Sequence, residues 1–261
     1  MNIANVTGQG TSVCRHLAYL GSPVGAGTLL LDAPNALASQ VDTPAHQEPG
    51  VVNRDGWGIA WQANGRWRCH RSVLPLSEDC DAPGRLRGIH AGALVAAIRR
   101  ASPGLALVES GNAPFVAGRW VFSLNGFVGG FAEGPARAPL VAALAERRRV
   151  ALVGDTDTEV LFGILLDRLD DGDEPASAMA GTVAVALDAA DDHPSRLNLL
   201  LSDGSGIWAT RWSNSLCHRR FAGGGLAVAS EPWDDDPGWA EVPDRAAVAA
   251  SDAEVRVTLL A

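Results

Sequence analysis

The chain contains no lysine, so all 21 of its basic side chains are arginines, set against 30 carboxylates for a net charge of −9 at pH 7. That balance argues against a nucleic-acid partner and against an anionic membrane surface, since both need a basic face. A lysine-free chain rich in alanine and glycine is also what a GC-rich bacterial genome encodes. Cysteine is scarce. Cys14, Cys69, Cys80 and Cys217 form no CxxC pair, so no structural zinc site is expected and no metal is assigned. No apolar run reaches the ~18 residues that a membrane span needs. Residues 1–13 lack the basic start and apolar core of a secretory signal. These absences predict a cytoplasmic protein with reduced thiols. Cys69, Cys80 and Cys217 are expected to be inert and buried.

What is present is the composition of a globular protein. Of 261 residues, 47% are hydrophobic and 20% charged, which suits one large domain with a substantial core. Residues 14–21 (CRHLAYLG) read as a buried strand, and residues 27–40 as a short helix or loop. A hairpin is expected over residues 56–72, turning at Ala63-Asn64-Gly65. Residues 92–102 (GALVAAIRRAS) form a buried run ending in two arginines, and residues 118–130 a strand that breaks at Asn125-Gly126. Helical spacing of apolar residues marks 138–149 and 157–172, and 175–190 is read as helix. The last third returns to strands, with a hairpin around Asp203-Gly204. Strands at both ends and helices in the middle, with no repeat or linker, predict a layered sandwich.

Four places could carry chemistry. Cys14 attacks as a thiolate, and an ordinary thiol is only slightly ionised at neutral pH, so it needs a base. His16 lies on the same predicted strand face. Another base is the α-amino group of Cys14 itself, with a pKa of ~7.7–8.0, provided Cys14 is the first residue of the mature chain. Three readings of residues 1–13 stay open. Translation starts at a GTG codon for Val13 and the initiator is trimmed; or the leader is a self-cleaved propeptide; or it is retained and Cys14 is an ordinary strand residue. Next, Asn125 and the Gly126 amide could stabilise a tetrahedral oxyanion, or could simply form a strand-end turn. Arg99, at the end of an apolar run, could grip a carboxylate with two hydrogen bonds, while Arg100 should face solvent. Asp157 could bind an ammonium group, or cap its helix, the role preferred for Asp155. Arginine for a carboxylate and aspartate for an amine together suit the α-amino-acid end of a glutamyl group.

In this order, CRHLAYLG, NRDGWGIAW, AAIRRAS, APF, FSLNG and DTDTE resemble the class II glutamine amidotransferase domain, over residues 13–260. The resemblance implies an α+β fold, the four-layer αββα sandwich of N-terminal-nucleophile hydrolases. It implies a small-molecule γ-glutamyl substrate and no cofactor. Its nucleophile falls on Cys14, its oxyanion pair on Asn125 and Gly126, its α-carboxylate arginine on Arg99 and its α-ammonium aspartate on Asp157. It implies residues 1–13 absent from the mature enzyme and residues 14–261 as a single domain. The family usually carries histidine where this chain has Leu124, which raises the question of how Asn125 is held. No second, ammonia-using domain fits, so a free-standing hydrolase is expected. The CRH start and the ending SEPWDDDPGW narrow the resemblance to the ergothioneine-biosynthesis branch, whose leaving group carries a trimethylammonium. The acidic, tryptophan-rich loop 231–239, with Trp239, could hold that cation through ring faces and carboxylates, or could be a solvated turn packed by its tryptophans. A glutaminase or other amidase of the same class, and an inactive relative serving as a binding subunit, are the alternatives.

Overall fold

Strand β1 (Arg15–Gly25) shows how the sandwich is specified. Its side chains alternate between faces. Leu17 and Tyr19 enter one apolar cluster, while Ala18 and Leu20 enter another. With both faces covered there, Leu17–Leu20 reads as one unbroken apolar run. The computed structural model describes residues 14–46, 51–102 and 104–260; the expected leader, residues 1–13, lies outside them.

The hairpin follows as β2 (Trp57–Ala63) and β3 (Arg66–Ser72). Asn64 and Gly65 between them have φ of 52° and 72°, the paired positive angles that a tight two-residue hairpin turn requires. A short helix α1 (Ala82–Arg87) leads to β4 (His90–Ile98), then β5 (Phe115–Ala117) and β6 (Trp120–Phe127). Four helices come next: α2 (Arg137–Ala143), α3 (Glu146–Val150), α4 (Asp157–Asp170) and α5 (Pro175–Ala190). The chain closes with β7 (Arg196–Ser202), β8 (Gly206–Arg211), β9 (Cys217–Arg220), β10 (Leu226–Ala229), β11 (Ala240–Glu241), β12 (Ala246–Ser251) and β13 (Val255–Leu259).

The strands form two antiparallel sheets. One has the order β11-β9-β10-β1-β4-β2-β3, the other β13-β12-β8-β7-β6-β5. Between them lies a core of small side chains, including Ala18, Ala60, Ala93, Val95, Val121 and Ala209. Helices α2, α4 and α5 cover the outer face of the six-stranded sheet through Leu140, Leu161, Leu165 and Met179 against Phe122, Leu124 and Leu199. The outer face of the seven-stranded sheet has a thinner cover. Leu29 and Leu30 of a π-helical turn, Leu86 of α1 and Trp233 pack on it. The result is the expected α+β sandwich, with one of its helical layers reduced to short pieces.

Three local expectations differ from the structure. The helix expected over 138–149 is two, because Leu144 is extended (ψ 139°) and packs against Gly163 of α4, where a side chain would collide with it. The α3 start is then held by Ala145 N donating to Asp167 Oδ2 at 2.8 Å. Cys69 and Cys80 are exposed, and only Cys217 is buried; Cys69 lies on β3, the edge strand of its sheet. Finally, β6 does not break at Asn125-Gly126. It runs on to Phe127, with Asn125 opposite Asn198 and Gly126 opposite Leu197 of β7. What ends is pairing on the other side, because β5 reaches only Phe122.

Gly126 has φ 149°, and a Cβ there would sit 1.9 Å from the Arg196 carbonyl oxygen. Gly126→Ala is therefore expected to cost about 3 kcal/mol of stability. Urea denaturation measures this, and an unshifted midpoint contradicts the close approach.

Candidate active site

Antiparallel register places Arg15 of β1 opposite Ile98 of β4. Residues just beyond those two strand ends therefore meet. The half-buried Cys14 thiol points at the carbonyl of Arg100, 3.6 Å away. Arg99 is buried, and its Nη1 donates to Asn112 Oδ1 at 3.1 Å and to the Ala106 carbonyl at 3.3 Å. Asn112 is itself fixed, donating from Nδ2 to the Ser72 carbonyl at 2.7 Å. Arg100, expected to face solvent, is half-buried.

On β6, Val121 joins the core between the sheets, while Phe122 and Leu124 join the core under the helices. Asn125 therefore shares the inward face with Val121 and Ser123. Leu124 points away from it, so a leucine at that position leaves the amide untouched. Asn125 is held by two other residues. Asn214 Nδ2 donates to Asn125 Oδ1 at 3.1 Å and to its backbone carbonyl at 3.0 Å. Asn125 Nδ2 donates to Ser230 Oγ at 3.0 Å. The same Oγ accepts from the His16 amide at 3.0 Å, so one hydroxyl ties β1 to the Asn125 side chain.

Asp157 is the first residue of α4. The cap is Thr156, not Asp155: Thr156 Oγ1 accepts from Glu159 N at 3.2 Å. Asp157 is thus left to reach the residue that follows β6, where its Oδ2 accepts from Val128 N at 2.9 Å, while Oδ1 accepts from Thr158 N at 2.7 Å. Burial raises the Asp157 pKa, and these amide donors together with the Arg99 charge oppose the rise. Burial likewise raises the Cys14 thiol, with Arg99 pulling it down and Asp157 pushing it further up. Cys14, Arg99 and Asp157 thus lie within electrostatic reach of one another, next to the Asn125-Gly126 edge of β6.

His16 is a poor base. Burial, with the positive charge of Arg15, lowers its pKa to about 3. Its Nδ1 meets Ser123 Oγ at 3.2 Å. Arg15 turns to the other side of the strand and forms a buried ion pair with Glu231, Nε to Oε1 at 2.7 Å. Glu231 Oε2 also accepts from Ala45 N at 2.7 Å.

That pairing bears on the 231–239 loop. Glu231 cannot offer its carboxylate to a ligand from the 231–239 loop, because both of its oxygens are engaged with the protein. Asp234 and Asp236 are likewise paired, with Arg219. Trp239 Nε1 donates to Asp234 Oδ1 at 2.9 Å, and its ring stands edge-on to Trp233 at 4.7 Å. Trp239 also lines a cavity of about 140 Å³ with Ser230, Cys217, His46 and Glu241. Ser230, which accepts from Asn125 Nδ2, is the residue this cavity shares with the hydrogen bonds around Asn125. No group of three or more His, Cys, Asp or Glu among the described residues is set to hold a metal ion. Sequence reasoning missed Ser230, Asn214, Asn112 and the Arg15–Glu231 pair. Ser230 and Glu231 do fall in the discriminating SEPW stretch, which drew attention for its loop instead.

The sequence profile described as glutamine amidotransferases class-II matches residues 40–223. The chain is 35% identical over 258 residues to the gamma-glutamyl-hercynylcysteine sulfoxide hydrolase of Mycolicibacterium smegmatis, covering 95% of this chain and 100% of the relative. It is 34% identical over 250 residues to the protein of the same name from Mycobacterium tuberculosis, covering 95% and 97%. Among solved structures, a glutamine aminotransferase class-II domain protein from Silicibacter pomeroyi superimposes with a TM-score of 0.69 at 26% identity, covering 95% of this chain and all of that one. The glutamine phosphoribosylpyrophosphate amidotransferase of B. subtilis gives 0.64 at 13% identity over 95% of this chain and 49% of its own, a likeness of fold.

The buried His16 has a stability consequence. The unfolded chain binds its proton below about pH 6.5, whereas the folded chain does so only near pH 3. Folding therefore loses up to about 1.4 kcal/mol per pH unit as pH falls through that window. In urea denaturation at pH 7, 5.5 and 4.5, His16→Gln is expected to show a shallower decline than the wild type. Parallel declines contradict a neutral, buried imidazole.

Proposed function

Because the chain belongs to the class II glutamine amidotransferases, we propose that it hydrolyses the γ-glutamyl amide bond of γ-glutamyl hercynylcysteine S-oxide. The products are glutamate and hercynylcysteine S-oxide. The family and the hydrolase relatives make the chain an amidohydrolase; the substrate and the assignment of residues are our reading. The observation that carries it is the convergence of Cys14, Arg99 and Asp157 beside the unpaired edge of β6.

In this reading the mature enzyme begins at Cys14. A thiol raised by burial is not a standing thiolate, so its proton must leave as attack begins. His16 is too weakly basic to take it. The α-amino group of Cys14 takes it instead, directly or through a water. The sulfur attacks the γ-carbonyl carbon, and the oxyanion is met by Asn125 Nδ2 and the Gly126 amide. The new ammonium returns its proton to the leaving amine, and the C–N bond breaks to leave a γ-glutamyl thioester. Water, deprotonated by the same amine, hydrolyses the thioester and frees glutamate. Arg99 binds the glutamyl α-carboxylate and Asp157 its α-ammonium. Asp157 serves that purpose only as a carboxylate; burial raises its pKa, and the nearby amides and Arg99 oppose that rise.

The leaving group extends into the cavity lined by Trp239, which supplies an aromatic wall for a trimethylammonium. The reaction takes place in the cytoplasm; no helix among the described residues is long and apolar enough to cross a membrane.

Incubation with γ-glutamyl hercynylcysteine S-oxide, and separately with glutamine, tests the reading by glutamate release. Faster release from the sulfoxide is expected, and Cys14→Ala should abolish both reactions. Preference for glutamine points to a glutaminase, and an active Cys14→Ala enzyme ends the proposal. The intact mass of the active protein should begin at Cys14. Trp239→Ala should raise KM for the sulfoxide about tenfold, equivalent to ~1.4 kcal/mol. An unchanged KM removes Trp239 from recognition.

A further inference from the structure

We propose that Asn214 and Ser230 are positioning residues that impose one orientation on the Asn125 side chain, so that Asn125 presents an N–H and not a carbonyl to the reacting centre. This rests on the proposed hydrolytic role of Asn125.

An asparagine amide is nearly symmetric in shape, and its two orientations differ only in which atom faces which neighbour. Here the neighbours decide. Asn214 Nδ2 can only donate, and it lies 3.1 Å from Asn125 Oδ1. Its own orientation is set in turn. Arg196 Nη1 donates to Asn214 Oδ1 at 3.1 Å, which turns the Asn214 amino group toward Asn125. On the other side, Ser230 Oγ sits 3.0 Å from Asn125 Nδ2 and already accepts from the His16 amide at 3.0 Å. Reversing the Asn125 amide would place two donors against each other at Asn214. All three side chains are buried, Asn125 at 0%, Asn214 at 5% and Ser230 at 1% exposure, so water cannot replace a lost partner. One Nδ2 hydrogen is used by Ser230, and the second is left to meet an oxyanion.

Asn214→Asp is the direct test. The shape is kept and Arg196 can pair with the new carboxylate, but the donor to Asn125 Oδ1 becomes an acceptor. The Asn125 amide is then drawn round to donate to residue 214, and its carbonyl faces the reacting centre. Glutamate release from γ-glutamyl-p-nitroanilide and from the sulfoxide should show kcat falling about 10²–10³-fold, the loss typical of one missing oxyanion donor, with KM changed less than threefold. Ser230→Ala, which removes the hydroxyl that accepts from both Asn125 Nδ2 and the His16 amide, should lower kcat about tenfold, and Ser230→Thr should restore part of it.

The distinguishing measurement is the double variant. In an Asn125→Ala background, Asn214→Asp should lower kcat no further, because the group it misdirects is gone. A purely structural residue would lower it again by the same factor. Full additivity overturns the proposal, as does an Asn214→Asp enzyme with wild-type kcat. Should Asn214→Asp fail to fold, Ser230→Ala and its double with Asn125→Ala carry the same comparison. A wild type that releases no glutamate sinks the hydrolase reading and this inference together. An active wild type with insensitive variants sinks this inference alone.

Discussion

The register between β1 and its two neighbours is the constraint on which the candidate site depends. β1 lies between β4 and β10, paired Arg15 to Ile98 on one side and Leu17 to Ala229 on the other. Cys14 enters at one strand end, Arg99 leaves at the next, and Ser230 leaves at the third. A slip of one residue would exchange the two faces of β1, sending Ala18 and Leu20 away from the inter-sheet core and His16 away from Ser123. Nothing local holds these groups together. They meet because three strands from distant parts of the chain stop at the same level.

Polar side chains at that level keep the strands from drifting. Arg15 and Glu231 are almost wholly buried, at 1% and 0% side-chain exposure. Such a pair contributes little net stability, because desolvation offsets most of its attraction, but removing one partner is severe. Its value lies in fixing geometry. Arg15 Nη1 also donates to the Cys14 carbonyl at 3.2 Å, and Glu231 also receives the Ala45 amide. The loop after β10 and the segment before the hairpin are thereby fastened to the residue next to the thiol. Ser230 makes a second fastening one residue earlier, across the gap between the sheets.

Much of this was legible in the sequence where a residue type has few alternatives. Asn64-Gly65 announced a hairpin because positive φ at both positions suits few other pairs. Two arginines after an apolar run announced a strand end with a charge close to it. The Asn125-Gly126 pair reads as a strand break in the sequence, but β6 continues through it. It marks the point where β6 loses its neighbour on one side while keeping β7 on the other. What stayed hidden depends on separation along the chain. Ser230 and Asn214 reach Asn125 across 105 and 89 positions, and neither residue type is unusual where it stands. The 231–239 loop stays open between two roles in the sequence for a related cause: composition records three aspartates and a glutamate but not that Arg219 and Arg15 already pair with most of them. The helix break at Leu144 was equally invisible, since only the glycine at 163 makes room for the leucine to turn inward.

The bond from Asp157 to the amide of Val128 joins the first turn of α4 to the end of β6. The helical layer and the strand that carries Asn125 therefore cannot separate without breaking this link. A fluctuation that lifts α4 would expose the carboxylate to water and release the strand end at the same moment. Both events hang on one hydrogen bond, so loss of protection at the Val128 backbone amide would report the opening.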